Sequence, residues 1–586
     1  MRQWMVAAKK ADFYAIAEKF HVDPVVARII RNREVIGEKN IRIYLGGNLS
    51  DLSDPHQMKD MDRLVEILAQ KIRKQVHIRI IGDYDVDGVT SSHLFLTALR
   101  RVGAKADVVI PHRIQDGYGL SLHLLQQAKE DGVDTILTCD NGIAAIDEIA
   151  WAKAQKMTVL VTDHHAVPFE EHEGRRTEKK SLADAVVNPH QQDCGYPYKE
   201  LCGAGVAWNV IRVLYENYDM DKREAEDLLD FVAMATVCDV MSLTGENRIL
   251  VKEGLKRIRH TKNIGLQALM QACNVQPENI SAYHFGYVLG PCVNATGRLD
   301  TARHALRLFE TGQETEAEEI ARDLVDLNQE RKELTLQGVE MAKKLCEEGG
   351  YENDPILVLF LPDVHESIAG LIAGRIREMY NRPVFVLTRG EEGVKGSGRS
   401  TENYSMYENM CGCAELFTKF GGHPMAAGLS LPEENVEKFR RKINENCPLT
   451  VEEVCPDIHI DMAMPVGYAS TELVHQFALL EPFGKDNPSP LFADRNLSIS
   501  RMWVIGKNRN VLRMSVLSEY GQPVPVIFFG DVETLFAYFT EKFGQEEVEN
   551  ALHGRKNRIL FSMVYTAKVD FYQGNENLQL EMKYYR

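Results

Sequence analysis

The run His77-Ile-Arg-Ile-Ile-Gly-Asp83-Tyr-Asp85-Val-Asp87-Gly88 decides how this chain is read. An apolar, β-branched stretch breaks off at a glycine into three alternating carboxylates. The same event occurs twice more. Asp134-Thr-Ile-Leu-Thr-Cys139 ends in Asp140-Asn141-Gly142, and Met157-Thr-Val-Leu-Val-Thr162 ends in Asp163-His164-His165. Helical patterns separate these runs, up to Arg101, over 120–131 and over 144–156, with a further strand at 106–111. Strands alternating with helices imply a parallel sheet with helices on both faces. In such sheets ligands bind outside the carboxyl ends of the strands, so the topology alone brings the three clusters together.

The chain of 586 residues exceeds what one hydrophobic core usually holds, and three or four domains are expected. Its 44% hydrophobic and 26% charged residues are those of an ordinary soluble protein. No apolar run approaches the roughly 18 residues of a membrane span. The opening Met1-Arg-Gln-Trp-Met-Val-Ala-Ala-Lys-Lys10 lacks the longer apolar core of a secretory signal. A cytoplasmic protein without membrane association is expected. Eleven thinly scattered cysteines, an odd number, argue against a disulfide framework. Cys411-Gly-Cys413 is the only close pair, and no second pair completes a zinc site. The net charge of −17 gives no general affinity for polyanions, but its distribution matters more than its sum. Aspartates that hold divalent cations would offset part of it.

Five segments follow from the changes in pattern. Residues 1–72 form a helical lead-in, where Asp23-Pro24 supplies an N-cap and a first-turn proline. Residues 73–312 hold the parallel sheet, with a polar loop region over 168–200 and a helix beginning near Leu201-Cys-Gly-Ala-Gly205. Gly290-Pro-Cys-Val-Asn294-Ala-Thr-Gly297-Arg298 reads as a loop carrying a lone cation. A charged helix over 313–349, with Ile320, Leu324, Leu327, Leu336, Val339 and Met341 as its apolar stripe, connects to a smaller α/β domain at 350–448. Residues 449–586 carry five strands, with hairpin turns at Gly506-Lys-Asn-Arg-Asn510 and Gln573-Gly-Asn-Glu-Asn577, which suits an OB-like barrel that binds single strands.

Asp85, Asp87, Asp140, His164 and Asp239 are the candidate metal ligands; Asp239 follows the apolar Ala233-Met-Ala-Thr-Val-Cys238. Carboxylate and imidazole suit Mn²⁺ or Mg²⁺. An aspartate shared between two ions would set them about 3.5–4 Å apart, the arrangement that cleaves phosphate esters. Any one of these aspartates alone is more often an N-cap or turn residue. Asp83 is a ligand or orients its neighbours. His165 is a core histidine, a partner of a ligand, or a donor to the scissile phosphate. Arg113, Arg298 and Arg399 are solvated cations or anion contacts, and the Gly-containing loops around Arg298 and Arg399 favour the latter. His423, after Gly421-Gly422, is a further functional candidate.

Asp83-Tyr-Asp-Val-Asp-Gly88, Thr138-Cys-Asp-Asn-Gly142, Asp163-His-His165 and Thr236-Val-Cys-Asp239 resemble the four motifs of the DHH phosphoesterases. Lys395-Gly-Ser-Gly-Arg-Ser400 and Phe420-Gly-Gly-His-Pro-Met-Ala-Ala-Gly428 resemble the DHHA1 domain associated with that family. Pro291-Cys-Val-Asn-Ala-Thr-Gly-Arg298 and Glu481-Pro-Phe-Gly-Lys-Asp-Asn-Pro488 resemble its single-strand-specific 5′ exonuclease branch. The resemblance spans nearly the whole chain. It implies a DHH domain joined by the long helix to a DHHA1 domain, then the barrel. It implies two Mn²⁺ or Mg²⁺ ions on Asp85, Asp87, Asp140, His164 and Asp239, with Asp83 close by. It implies 5′→3′ removal of mononucleotides from single-stranded DNA in recombination and repair, with Arg298, Ser397 and Arg399 gripping the terminal 5′ phosphate. Arg113, before Gly117-Tyr-Gly-Leu120, and His423 are further nucleic-acid contacts on this reading. A single-strand-binding protein is a partner expected of the family, and the chain is expected to act as a monomer. Three departures stand out: Val364-His-Glu-Ser367 where Trp-His-x-Gly is usual, Cys292 where Arg is common, and Asp486 where Gly is common. None falls on a candidate ligand.

Two other functions fit parts of this pattern. One is a DHH phosphodiesterase for short oligoribonucleotides or cyclic dinucleotides, which would not need an added strand-binding module. The other is a catalytically silent DNA-binding paralogue, against which the intact acidic motifs argue.

Overall fold

Five parallel strands form the sheet that the opening runs foretell. Their order is Lys105–Val109, His77–Ile81, Thr135–Cys139, Thr158–Thr162 and Ala185–Val187. The chain adds 105–109 on one side of 77–81 and then crosses to lay 135–139 on the other. That reversal opens a crevice at the carboxyl ends of 77–81 and 135–139. The register pairs Ile81 with Thr138 and Cys139 with Thr162, so the chain leaves the sheet into Asp83, Asp140 and Asp163 at one edge. Alternate side chains enter two cores. Ile78, Ile80, Leu137 and Leu160 pack with Leu94 and Phe95 on one face, whereas Ile81, Ile136, Val159 and Val161 pack with Leu125 and Ile149 on the other. Period-two alternation with both faces apolar is the signature of a buried parallel sheet.

The computed structural model describes all residues except 1–2, 114–115, 117–118, 173–174, 391–392, 507–509 and 573. It divides into two compact units, Leu49–Pro456 and Gln3–Asn48 with Asp457–Arg586. The stretch expected as one lead-in over 1–72 is thus divided at Asn48. Gly117-Tyr118, Lys507–Arg509 of the first expected hairpin turn and Gln573 of the second lie outside the described residues.

Within the first unit, several sequence expectations change. The region 168–200 is not only loop: it holds the hairpin Phe169–His172/Arg175–Glu178 and the edge strand Ala185–Val187. That edge strand has three residues, too few to show a period. Gly290–Leu299 is an α-helix rather than a loop, with Pro291 in its first turn where no N–H is needed. Arg399 ends the strand Gly393–Arg399 rather than sitting in a loop; that strand joins Val384–Gly390, Leu357–Phe360, Ala426–Leu431 and Lys419–His423 in a mixed sheet. Small residues fit there because their neighbours are close: a Cβ on Gly398 would lie 2.3 Å from the Met406 sulfur. The connecting helix spans Glu314–Glu348, but Leu336 and Met341 of the expected stripe are exposed. Ala317, Ala321, Gly338, Ala342 and Cys346 are buried instead. Small side chains face inward because the next helix is near, with Ile372 Cδ1 2.3 Å from where a Gly338 Cβ would be. Among the described residues, no helix is long and apolar enough to cross a membrane.

In the second unit, Phe492–Ile505, Val511–Leu517, Pro523–Phe529, Asn575–Tyr585 and Leu560–Tyr572 pair in that order, and 492–505 pairs again with 560–572 to close the barrel. Residues 3–48 are part of the same fold. Trp4–Val6 pairs in parallel with Ile458–Ile460, and Val26, Ile29, Ile30 and Tyr44 enter the barrel-side core with Val466 and Leu480. The Asp23 carboxylate caps Pro24–Asn32 by accepting from Val25 N at 2.7 Å. Asp486 has φ 60°, the left-handed conformation that explains why glycine is common there. Asp461, buried, accepts both Arg33 guanidinium nitrogens at 2.8 and 3.1 Å and the Leu491 N–H at 3.0 Å. Removing one member of such a pair strands a buried charge at about 3–5 kcal/mol. Asp461→Ala should therefore lower the urea midpoint of this unit, and Arg33→Met combined with Asp461→Leu should recover most of the loss; an Asp461→Ala unit that unfolds like the wild type would refute the pairing.

Candidate metal centre and anion pocket

Each acidic residue is placed by a backbone feature of its own. Asp85 is the N-cap of the helix Val86–Arg101, accepting from Gly88 N at 3.0 Å. Capping uses one oxygen, so the N-cap reading and a ligand reading are compatible. Gly88 lets the turn close, since a Cβ there would meet Asp83 N and O at 2.5 Å. Asp87 accepts from the N–H groups of Gly203 and Ala204, at 2.6 and 2.8 Å, at the start of the helix Gly203–Asn217. A helix N-terminus carries partial positive charge and holds the carboxylate in place. Gly203 also makes room for Asp140, whose Cβ lies 2.6 Å from where a Gly203 Cβ would be. Asp140 itself has φ 61°, a strained conformation for a non-glycine residue. Asn141 steadies that turn by donating to Ile81 O and Cys139 O at 3.1 and 3.0 Å, joining the two strands at the crevice. Asp239 caps the C-terminal end of Leu229–Cys238.

These groups converge on His164. Its Nε2 lies 3.0 Å from Asp140 Oδ1 and 3.7 Å from both Asp87 Oδ2 and Asp239 Oδ2. Asp83, Asp85 and Asp140 form a second set whose potential ligand atoms all lie within 4.8 Å of one another. Asp140 belongs to both sets, the position expected of a shared ligand. Asp163 faces away. It accepts from the backbone of Ile143, His164 and His165 at 2.8, 2.7 and 3.0 Å, and from His165 Nδ1 at 2.7 Å.

The electrostatics fit a cation. Burial pushes the Asp83, Asp85 and Asp140 carboxyls up, followed by the charge of Asp85 on Asp83 and of Asp87 on the other two. Asp83 Oδ1 and His164 Nε2 are buried without a hydrogen-bond partner among the described residues. Burial lowers His164, leaving it neutral and able to ligate. Burial would also lower His165, but the hydrogen bond and charge of Asp163, with Asp239 and Asp87, outweigh it and raise the group to about 9. Hard oxygens with one neutral imidazole are the donor set of Mn²⁺ or Mg²⁺.

One residue from these acids the charge reverses. Tyr84, between Asp83 and Asp85, lines a cavity of about 540 Å³ together with Arg113, Arg298, Ser397, Arg399 and Lys395. The Arg113 guanidinium lies 4.8 Å from the Tyr84 ring centre. Arg298 Nη1 donates to Ser367 O at 2.6 Å, and Arg399 Nη1 to Gly398 O at 2.8 Å. Burial disfavours the charge on both, and Arg113 adds repulsion to each. A bound anion relieves both costs. Gly370 keeps the cavity open at its floor: a Cβ there would meet Ser397 Oγ at 2.7 Å. His423 is exposed at the end of its strand and does not line the cavity.

The DHH family, N-terminal domain, matches residues 77–236, the DHHA1 domain residues 353–447 and the RecJ OB domain residues 460–584. The single-stranded-DNA-specific exonuclease RecJ of Haemophilus influenzae is 32% identical over 581 residues, spanning 96% of each chain. The chain belongs to the RecJ family. RecJ of Bacillus subtilis is 33% identical over 512 residues, which are 87% of this chain and 63% of that longer relative. The crystal structure of Thermus thermophilus RecJ in complex with Mn²⁺ aligns over all of this chain and 79% of its own, with TM-score 0.79 and 24% identity, a likeness of fold.

Several positions of this RecJ-family chain carried no signal as chemistry in the sequence. The amides of Gly203 and Ala204, the Asn141 clamp, Tyr84 and Asn294, whose Oδ1 accepts from Val86 N at 3.2 Å, act through geometry. The helix start read near Leu201-Cys-Gly-Ala-Gly205 was the visible trace of the two amides. The Asp163–His165 pair gives a direct test. In metal-free protein, Asp163→Asn should drop the His165 pKa from about 9 to about 6.5 or lower, followed by NMR of ¹³C-labelled histidine. A value still near 9 would mean that another group holds the proton.

Proposed function

We propose that the protein is a metal-dependent exonuclease that degrades single-stranded DNA from its 5′ end to mononucleotides, in DNA recombination and repair. The observation that carries this reading is Tyr84: its two chain neighbours belong to the acidic cluster, while its own side chain lines the cation-lined cavity. An enzyme that grips a terminal phosphate in such a cavity must cut close to it. Arg298, Arg399 and Ser397 hold the 5′ phosphate, with Arg113 beside them, and the strand runs from there across the acids. Asp85, Asp87, Asp140, His164 and Asp239 hold two Mn²⁺ or Mg²⁺ ions, with Asp83 supporting them. Ions bound there supply Lewis acidity for phosphodiester hydrolysis. His165, kept protonated by Asp163, offers its Nε2–H to a non-bridging oxygen of the scissile phosphate. His423 contacts the strand further out. The barrel of the second unit binds the incoming single strand through its sheet face.

The cysteines and the absence of a membrane-crossing helix among the described residues support a cytoplasmic site of action. The protein acts as a monomer on this reading. A single-strand-binding protein is the expected partner on the DNA.

With Mn²⁺, 5′-phosphorylated single-stranded DNA should be degraded to mononucleotides, duplex DNA and a ribonucleotide dimer far less; preference for the ribo-dimer would sink the reading. Asp140→Ala should abolish turnover, and full activity would exclude a shared ligand. Arg399→Ala removes a charged contact of about 1.5–3 kcal/mol, so cleavage of 5′-phosphorylated ends should fall about ten- to hundredfold. Equal loss on 5′-hydroxyl ends would count against the phosphate grip.

A further inference from the structure

Cys292, one of the three departures from the family pattern, faces a second cysteine. Its sulfur, buried in the first turn of the helix Gly290–Leu299, lies 3.8 Å from the sulfur of Cys273. Cys273 ends the helix Ile264–Ala272 and is half-buried, so it can be reached from solvent. A disulfide needs about 2.05 Å between sulfurs. Side-chain rotation at a helix end can supply that closure. We propose that Cys273 and Cys292 are a redox modification site, closed to a disulfide by a peroxide and reopened by a dithiol.

The microenvironment separates these thiols from the others. Hydrogen bonding from the Cys292 thiol is the main influence holding Cys273 below the ordinary range, against burial and with help from Lys332. That bond, with burial, raises Cys292. Burial also raises Cys139 and Cys238, which are left as inert thiols. Cys273 is half-buried where Cys292 is buried, so Cys273 is the sulfur that a peroxide reaches and the attacking thiolate. Its sulfur bonds to one peroxide oxygen, the O–O bond breaks, and the departing hydroxide takes up a proton as water. The Cys292 sulfur then attacks the Cys273 sulfenic acid. The S–S bond forms, the S–O bond breaks, and hydroxide leaves with the Cys292 proton as a second water. Two sulfurs have each given one electron to the peroxide.

The bond would act on the site through the helix that carries Cys292. Asn294 on that helix receives the Val86 N–H beside the acids, Gly297 packs against Tyr84 O, and Arg298 reaches the anion cavity. In the thiol form Asn328 Nδ2 donates to Cys292 Sγ at 3.3 Å. Drawing that sulfur to Cys273 breaks this contact and shifts the helix, which moves Arg298. The link to nuclease activity rests on the proposed function; the disulfide itself does not.

The test uses the full chain carrying Cys411→Ser, which removes an exposed thiol that belongs neither to the acidic cluster nor to the cavity lining. After hydrogen peroxide, a non-reducing digest should yield the Cys273–Cys292 linked peptide, and hydrogen–deuterium exchange over 290–299 should change. Degradation of 5′-phosphorylated single strands should fall about tenfold or more, as small misplacements of a substrate-holding group do. Dithiothreitol should reverse all three. Adding Cys273→Ser, or Cys292→Ala if the first variant folds poorly, should abolish the response to peroxide. No linked peptide, or the same exchange change in the Cys273→Ser protein, overturns the proposal. Peptide mass and exchange are read without nuclease activity, so failure of the exonuclease reading would show as intact peroxide chemistry without DNA degradation.

Discussion

The structure is dominated by like charges held together away from water. Asp83, Asp87 and Asp140 are buried at one edge of a parallel sheet, and Asp85 and Asp239 stand beside them. Such a cluster costs folding energy unless something positive offsets it. The protein's own contribution is the amides of Gly88, Gly203 and Ala204 on two of the carboxylates, the charge of His165 on Asp83 and Asp85, and that of Arg113 on Asp83. The sheet register, the left-handed turn at Asp140 and the missing side chain at Gly203 all hold the oxygens near one another despite their repulsion. The same feature recurs with opposite sign around Arg298 and Arg399. Each half of the site is poised for counter-ions that the chain does not itself provide, which is what a preorganised electrostatic site requires.

This arrangement also resolves the overall charge. A chain at −17 is a poor general ligand for a polyanion. Arg113, Arg298 and Arg399 nevertheless face one cavity, where Lys395 is paired with Glu366 at 2.8 Å, so the local field and the total charge have opposite signs. Part of the total is the acidic cluster itself. Net charge therefore describes solubility here, and the placement of a few guanidinium groups describes recognition.

How much of this could be read in advance depended on period and on punctuation. The three central strands announced themselves because apolar runs ended in Asp or Gly, and the acids at their ends were legible for the same reason. The edge strand Ala185–Val187 was too short to show a period. Gly290–Leu299 looked like a loop because Gly, Pro and Asn punctuate it, yet burial of Val293, Ala295 and Thr296 overrides weak propensity. Leu336 and Met341 misled in the other direction: hydrophobic residues on a long helix need not face its partner, and here glycine and alanine do so instead. Backbone donors such as Gly203 N–H have no side-chain signature, and only the fold reveals them. The left-handed Asp486 was visible as an anomaly, but its cause, a backbone angle, was not.

The second unit has a consequence for how the molecule is made. Its core joins residues 3–48 to residues 457–586, with about 400 residues between them. At about 5–20 residues per second, ribosomes need roughly 20–80 seconds to make that interval. Val26, Ile29 and Ile30 leave the ribosome first and bury against a barrel that does not yet exist. The first unit can complete its own core in the meantime, because all of its strands lie between the two halves of the other. Val26, Ile29 and Ile30 thus wait for the barrel while the whole first unit is made, and over that interval they depend on being shielded from other nascent chains.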